Sequence, residues 1–422
     1  MIRSAAYGTQ AFEAERERLL SRGAADLDAV EPTVRSILAD VRSGGDRAVI
    51  SHTERLEGRR PAPLYTRDYD GREALSRLDP DVRRALELAA ERIERFHHHE
   101  KIEGFSFTEG GTTLGLRVRP LARVGVYAPG GKARYPSSVL MSAIPARVAG
   151  VEEIVLATPA PNDLLLAAAH FSGVTAILDA GGAQAIGALA YGTESVPRVD
   201  KIVGPGNRYV ACAKKLVFGT VGIDGIAGPS EILVLADHTA DPAIIAADLL
   251  SQAEHDEAAY PLAITTDPAL VPRIEEALRE QLDALPRKDI ARASIVDNGV
   301  VLVVPDRETM ARLADEIAAE HVALHVEAPE ELFERVPSIG AAFVGHSTPE
   351  AAGDYLAGPS HVLPTGGAVR YGSPLGVHDF LARSSFIRYE ASALREQGKS
   401  IATLARAEGL EAHARAVELR LR

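Results

Sequence analysis

Cysteine is almost missing from this 422-residue sequence, which has one, Cys212. A single thiol excludes an intrachain disulfide, and the opening residues 1–20 hold no apolar stretch of the kind a secretion signal needs; both point to a reducing cytoplasm. Long apolar runs are missing too. The longest candidates are broken by Asp163, His170 or glycine, so no stretch reads as a membrane-spanning helix. A basic excess is the third absence. Lys plus Arg number 46 against 59 for Asp plus Glu, a formal charge of −13, with no basic stripe inside that acidic balance. Such a surface repels a phosphate backbone, which excludes nucleic acid as a partner. What is present, 46% apolar and 25% charged residues, is the composition of a folded globular chain, and a compact enzyme is the default reading. At roughly 150 residues per domain the length provides for two to three domains.

Residues 10 to 100 read mainly as helices. Val34, Ile37, Leu38 and Val41 recur at helical spacing, as do Val82, Leu86, Leu88, Ala89, Ile93 and Phe96. From about residue 121 short β-branched runs alternate with alanine-rich stretches. Strands are predicted at 121–127, 153–157, 174–178 and 201–203, followed by helices at 137–148, 162–171, 183–191 and 207–217. Strand followed by helix four times over implies a parallel sheet covered by helices. The alternation resumes after the glycine-rich stretch 219–230, with strands at 231–236, 261–265, 300–304, near 322–326 and at 341–344, and helices at 242–254, 268–285 and 307–319. That predicts a second parallel sheet. The last fifty residues show no clear strand, and two helices, 401–407 and 411–421, are separated by Gly409, well placed as a left-handed helix stop.

An open parallel sheet takes ligands at the carboxyl ends of its strands. Three predicted strands end in glycine-rich turns: Ala128-Pro129-Gly130-Gly131, Asp179-Ala180-Gly181-Gly182-Ala183-Gln184 and Gly204-Pro205-Gly206-Asn207. Each leads into a helix N-terminus, where free N–H groups favour an anion such as a pyrophosphate. None is a Gly-x-Gly-x-x-Gly fingerprint, and singly each reads as a plain tight turn. Together they are compatible with a dinucleotide. In Asp248-Leu249-Leu250-Ser251-Gln252-Ala253-Glu254-His255, helical spacing puts Gln252 and His255 on one face with Asp248 a turn behind, a candidate metal seat or simply a polar helix end. Glu320-His321 ends a predicted helix. Adjacent carboxyl and imidazole groups there can share one cavity for proton transfer, or sit as a solvated terminus. His97-His98-His99 reads as a solvated helix end, since consecutive helical residues diverge by about 100°. Cys212 reads as a core side chain.

The stretch Ile223-Asp224-Gly225-Ile226-Ala227-Gly228-Pro229-Ser230-Glu231-Ile232, running on to Gln252-Ala253-Glu254-His255, resembles the signature of the histidinol dehydrogenase family. The resemblance extends to Val126-Tyr127-Ala128-Pro129-Gly130-Gly131, Gly204 to Val210, Glu320-His321, Gly353-Asp354-Tyr355, His361 to Thr365 and Glu408-Gly409-Leu410-x-x-His413, and so spans essentially the whole chain. It implies a zinc- and NAD-dependent enzyme that oxidises L-histidinol through the aldehyde to L-histidine, the last step of histidine biosynthesis. By position it makes Gln252, His255, Asp354 and His413 the zinc ligands and Glu320 and His321 the catalytic pair. Ser230, His361 and Glu408 correspond to substrate contacts, together with the zinc ligands and His321; Tyr127, Gln184 and Asn207 correspond to cofactor positions. The implied fold is α/β, with two Rossmann-like parallel-sheet domains, one inserted in the other. Residues 23–125 and 232–374 form the domain with the metal and catalytic residues, and 126–231 the inserted NAD-binding domain. An N-terminal helical arm, 1–22, precedes them, and a C-terminal helical tail, 375–422, reaches the partner subunit of a homodimer with shared active sites. Against this stand a relative oxidising another small alcohol, a zinc hydrolase using Glu320 to activate water, and a non-enzymatic binding module.

Overall fold

The computed structural model describes residues 2–22, 27–130 and 135–421. Gly131 of the first glycine-rich turn lies outside the described residues. The chain divides into two compact units, 1–100 with 122–380 and 101–121 with 381–422.

The first unit holds two six-stranded sheets. In one, strands β1 (Arg3–Ala6), β10 (Glu231–Ala236), β11 (Tyr260–Thr265), β12 (Val300–Val303), β13 (His321–His325) and β14 (Ala341–Val344) run parallel in the order β1-β12-β11-β10-β13-β14. Every residue of β10 and β13 is buried, because helices cover both faces. Along β10, Ile232 and Val234 pack with helices 242–253 and 270–282, while Leu233 and Leu235 face helices 10–21 and 307–317. The segment expected as a helical arm therefore begins with a strand. β1 closes one edge of this sheet, and Phe12 and Leu19 of the following helix enter its core.

In the other sheet the order is β2-β7-β6-β5-β8-β9, formed by β2 (Tyr65–Thr66), β5 (Arg123–Tyr127), β6 (Glu153–Ala157), β7 (Ala176–Leu178), β8 (Lys201–Val203) and β9 (Gly222–Ile223). All pairs are parallel except β2 with β7. Val34, Ile37, Leu38, Val41 and Val49 of helix Glu31–Glu57 share a core with Val155 and Leu178 of this sheet and with Ile186 and Val210 of helices Gly182–Tyr191 and Arg208–Val217 that pack on it. Helical periodicity reveals an apolar face but not which sheet it covers. Cys212 is buried in the same core.

The second unit contains what periodicity did not reveal. β3 (Phe105–Glu109), β4 (Thr112–Pro120) and β15 (Leu381–Tyr389) form an antiparallel sheet, β15 pairing with β4 over nine residues from Leu381 with Pro120 to Tyr389 with Thr112. The absence of a strand expected in the last fifty residues is thus corrected. Almost every residue of β3 and β15 is exposed, so neither carries the alternation that marks a half-buried strand. Helices Ala391–Ala407 and Glu411–Glu418 follow, and Gly409 between them has the left-handed φ of 78° that its position suggested.

Candidate active site

Glu320 and His321 stand where β13 begins. Helix Arg307–Ile317 stops at Ala318, which takes a left-handed φ of 50°, and the chain turns directly into the strand. Both side chains are buried rather than solvated. Each is held by the main chain of Glu231, the first residue of the neighbouring β10. The Glu231 N–H donates to Glu320 Oε2 at 2.8 Å, and His321 Nδ1–H donates to the Glu231 carbonyl at 2.9 Å. A carbonyl can only accept, so the Nδ1 proton is fixed and Nε2 carries the free lone pair. Burial lowers the His321 pKa and keeps the ring neutral, with Phe343 stacked on it at 5.9 Å between centroids. Burial, then repulsion from Glu231, pushes the Glu320 carboxyl well above the ordinary range. The result is a neutral imidazole base beside a carboxylate of raised proton affinity, Oε2 of Glu320 lying 3.6 Å from His321 Nδ1.

Near Nε2 lie donor atoms of Glu350 and Asp354, and the helix Pro242–Ala253 supplies further donors. Helix Pro242–Ala253 brings Gln252, whose Oε1 is buried with no hydrogen-bond partner among the described residues. His255 follows in the turn beyond it; burial lowers its pKa, leaving a neutral ring suited to a metal. Helix Glu350–Tyr355 carries Asp354. It approaches closely because a Cβ at Gly353 would lie 2.7 Å from the Phe343 ring. Burial would raise the Asp354 carboxyl, yet hydrogen bonding and charge from His361, then the charges of His321 and His255, hold it below its ordinary value. His361 Nδ1–H donates to the Asp354 carbonyl at 3.1 Å, and its Nε2 lies 3.5 Å from Ser138 Oγ.

Glu350 was not foreseen. It sits one helical turn before Asp354, and its Oε1, buried without a partner among the described residues, is 3.8 Å from His321 Nε2. Donor atoms of His321, Glu350 and Asp354 lie within 4.8 Å of one another. Burial and the Asp354 charge push the Glu350 carboxyl up to about 8. Carboxylates, a neutral imidazole and an orphaned amide oxygen are a donor set that suits a divalent cation. The i, i+4 spacing from Asp354 was the one signal in the sequence that could have found Glu350. Asp248, by contrast, is not in the cage: its carboxylate pairs with His325 at 2.7 Å.

The glycine-rich turns follow the carboxyl ends of β5, β7 and β8. β5 and β8 are adjacent, but β6 separates β5 from β7. The chain's own groups fill much of two helix N-termini. Gly182 N–H donates to the Tyr127 hydroxyl at 3.1 Å, Gly181 N–H to Glu57, and the N–H groups of Tyr209 and Val210 to the Asn207 side chain. Gln184 is buried, its Oε1 lacking a partner among the described residues. Gly204 has φ 110°, and a Cβ there would lie 2.2 Å from the Tyr127 carbonyl oxygen, so only glycine lets these two strand ends meet.

Ser230 immediately precedes β10, its carbonyl accepting the Tyr260 N–H at 2.9 Å. Glu408, capping helix Ala391–Ala407, and His413, on the last helix, are exposed on the second unit. His97, expected in solvent, is fully buried against Glu100 at 2.7 Å.

Acid–base groups beside metal-type donors on one sheet, with glycine-rich turns at strand ends of the other, are the parts a dinucleotide-dependent oxidoreductase needs. The sequence profile of the histidinol dehydrogenase family matches residues 20–421. The histidinol dehydrogenase of Dechloromonas aromatica (strain RCB) is 49% identical over 97% of this chain and 96% of its own. That of Syntrophotalea carbinolica is 51% identical over the full length of both. The crystal structure of histidinol dehydrogenase from Elizabethkingia anophelis superposes with a TM-score of 0.92 at 34% identity, covering 100% of this chain and 98% of that one. An acetylating aldehyde dehydrogenase from Geobacillus thermoglucosidasius, 14% identical with a TM-score of 0.50 over 90% of this chain and 95% of its own, shares the fold alone. The chain belongs to the histidinol dehydrogenase family.

Proposed function

We propose that this chain oxidises L-histidinol to L-histidine in two NAD-dependent steps at one site, closing histidine biosynthesis. The observation that carries the reading is the free Nε2 of His321, fixed by the Nδ1 bond to Glu231, facing a buried donor cage with Glu320 at its side. Gln252, His255 and Asp354 of this chain, with His413, would hold a zinc ion. A bound zinc supplies positive charge and open positions for the substrate's imidazole and amine, and NAD supplies the hydride acceptor.

His321 Nε2 takes the hydroxyl proton of the alcohol in the first step. In the second, Glu320 takes a proton from the water that adds to the aldehyde, and His321 deprotonates the resulting diol. Tyr127, Gln184 and Asn207 line the cofactor seat at residues 126–231. Its helix N-termini are partly filled by Tyr127 and Asn207 themselves, which fits a shallow, readily exchanged dinucleotide. Ser230, His361 and Glu408 contact the substrate. Glu408 and His413 reach the site of a partner subunit; the second unit leaves Phe105, Phe107, Phe386 and Ile387 exposed, an apolar surface suited to a second copy of the chain. Residues 232–374 carry the chemistry, residues 375–422 the shared contacts, and the lone cysteine fits a cytoplasmic home.

The test is formation of NADH when L-histidinol is added to purified protein with zinc and NAD. No NADH from histidinol, with another alcohol oxidised instead, would overturn the reading.

A further inference from the structure

We infer that Arg22 and Glu231 form a buried positioning pair that sets the geometry of Glu320 and His321, an inference that rests on the function proposed above. Their side chains are 2% and 1% exposed. Arg22 grips Glu231 bidentately, Nε to Oε1 at 3.0 Å and Nη2 to Oε2 at 2.8 Å. Its remaining donors tie two helix ends: Nη1 to the carbonyl of Leu19 at 2.7 Å and Nη2 to that of Ile317 at 2.8 Å, three residues before Glu320. Glu231 then reaches the catalytic pair from three sides. Its carboxylate accepts the Glu320 N–H at 3.3 Å, its own N–H holds the Glu320 carboxyl, and its carbonyl holds His321 Nδ1. It also accepts the Gly366 N–H at 2.9 Å, anchoring the loop that carries His361.

A buried ion pair adds little to stability compared with apolar residues of the same volume. This one, though, is a single residue removed from both reacting side chains, and the planar guanidinium fixes direction as well as charge. Arg22 touches no ligand-cage residue. It is a positioning residue, acting through Glu231, and it gives the N-terminal segment a part in the chemistry.

Three preparations test this: wild type, Arg22→Lys, which keeps the charge and loses the fork, and Glu231→Gln, which keeps the main-chain bonds and loses the charge. A loose His321 and Glu320 should cost roughly 10- to 100-fold in kcat for both histidinol and the aldehyde. The KM for histidinol and the bound zinc should stay within about two-fold, as expected of a positioning role. The pH profile of kcat should shift in Glu231→Gln, since one charge facing Glu320 is gone. Folded variants with wild-type kcat and an unmoved pH profile, or with the loss confined to KM, would overturn the proposal. Should Glu231→Gln not fold, Arg22→Lys decides: His321 nitrogen shifts and a kcat displaced from wild type support the pair, and shifts and a kcat both equal to wild type refute it. Wild type that is silent with histidinol sinks the functional reading, while the change in His321 nitrogen shifts between wild type and Arg22→Lys still reports on the pair.

Discussion

At the scale of single residues, two neighbours in sequence are driven to different chemical states by the same burial. An imidazole loses its charged form when buried, and a carboxyl gains its neutral form, so His321 becomes the resting base while Glu320 keeps its proton more tightly. Replacing Glu320 with Gln should slow aldehyde oxidation by roughly 100-fold or more and alcohol oxidation by far less; His321→Asn should depress both. Kinetics with each substrate separate the two, and identical selectivity in the two variants would contradict the assignment. The pH response follows in sign. The neutral ring is the active form, so kcat should hold through the free-imidazole value of about 6.5 and fall only as pH drops through the lowered His321 value. Between the unfolded and the lowered folded value the unfolded chain binds the proton first, so stability should also decline as pH falls; a kcat already half lost above pH about 6.5 would contradict a lowered His321 as base. The pair was legible in the sequence as adjacent carboxyl and imidazole groups, whereas its burial was not, because adjacent residues say nothing about what packs over them. Glu350 and Arg22 stayed hidden for a related reason: each acts on a residue 29 or more positions away in sequence, His321 and Glu231 respectively.

At the scale of elements, the parallel strands were readable because they are short β-branched runs followed by helical patterns, and residues 231–236, 201–203 and 341–344 fall where the alternation puts them. The antiparallel strands were not, since β3 and β15 lack a buried face and get their order from pairing with β4. The helix expected over 268–285 also ends early, at Leu282, and a further helix, Lys288–Asp297, follows it unforeseen. Under the proposed function the turns are the elements that position the cofactor. Gly204→Ala would press a Cβ against the Tyr127 carbonyl in a backbone conformation that L-residues avoid, at a cost of roughly 2 kcal/mol or more. A folded Gly204→Ala protein should bind NAD at least about ten-fold more weakly with its zinc content unchanged. Calorimetric titration with NAD checks this, and unaltered affinity would move the cofactor seat away from the end of β8.

At the scale of the whole molecule, the family resemblance in the sequence places four zinc ligands together, of which Gln252, His255 and Asp354 lie in the first unit and His413 in the second. If the tail serves a partner, each site combines residues of two chains. His321→Asn and His413→Asn homodimers should then both be nearly inactive. Refolding equal amounts together should restore about a quarter of wild-type activity, because half the dimers are mixed and each mixed dimer has one intact site. No recovery, with mixed dimers present, would assign His413 to its own chain. The most direct test of two oxidations at one site is the count of NADH formed per histidinol consumed by the wild-type protein. Two NADH and one histidine, with no aldehyde accumulating in solution, is the predicted result. One NADH and an equivalent of free aldehyde would contradict it.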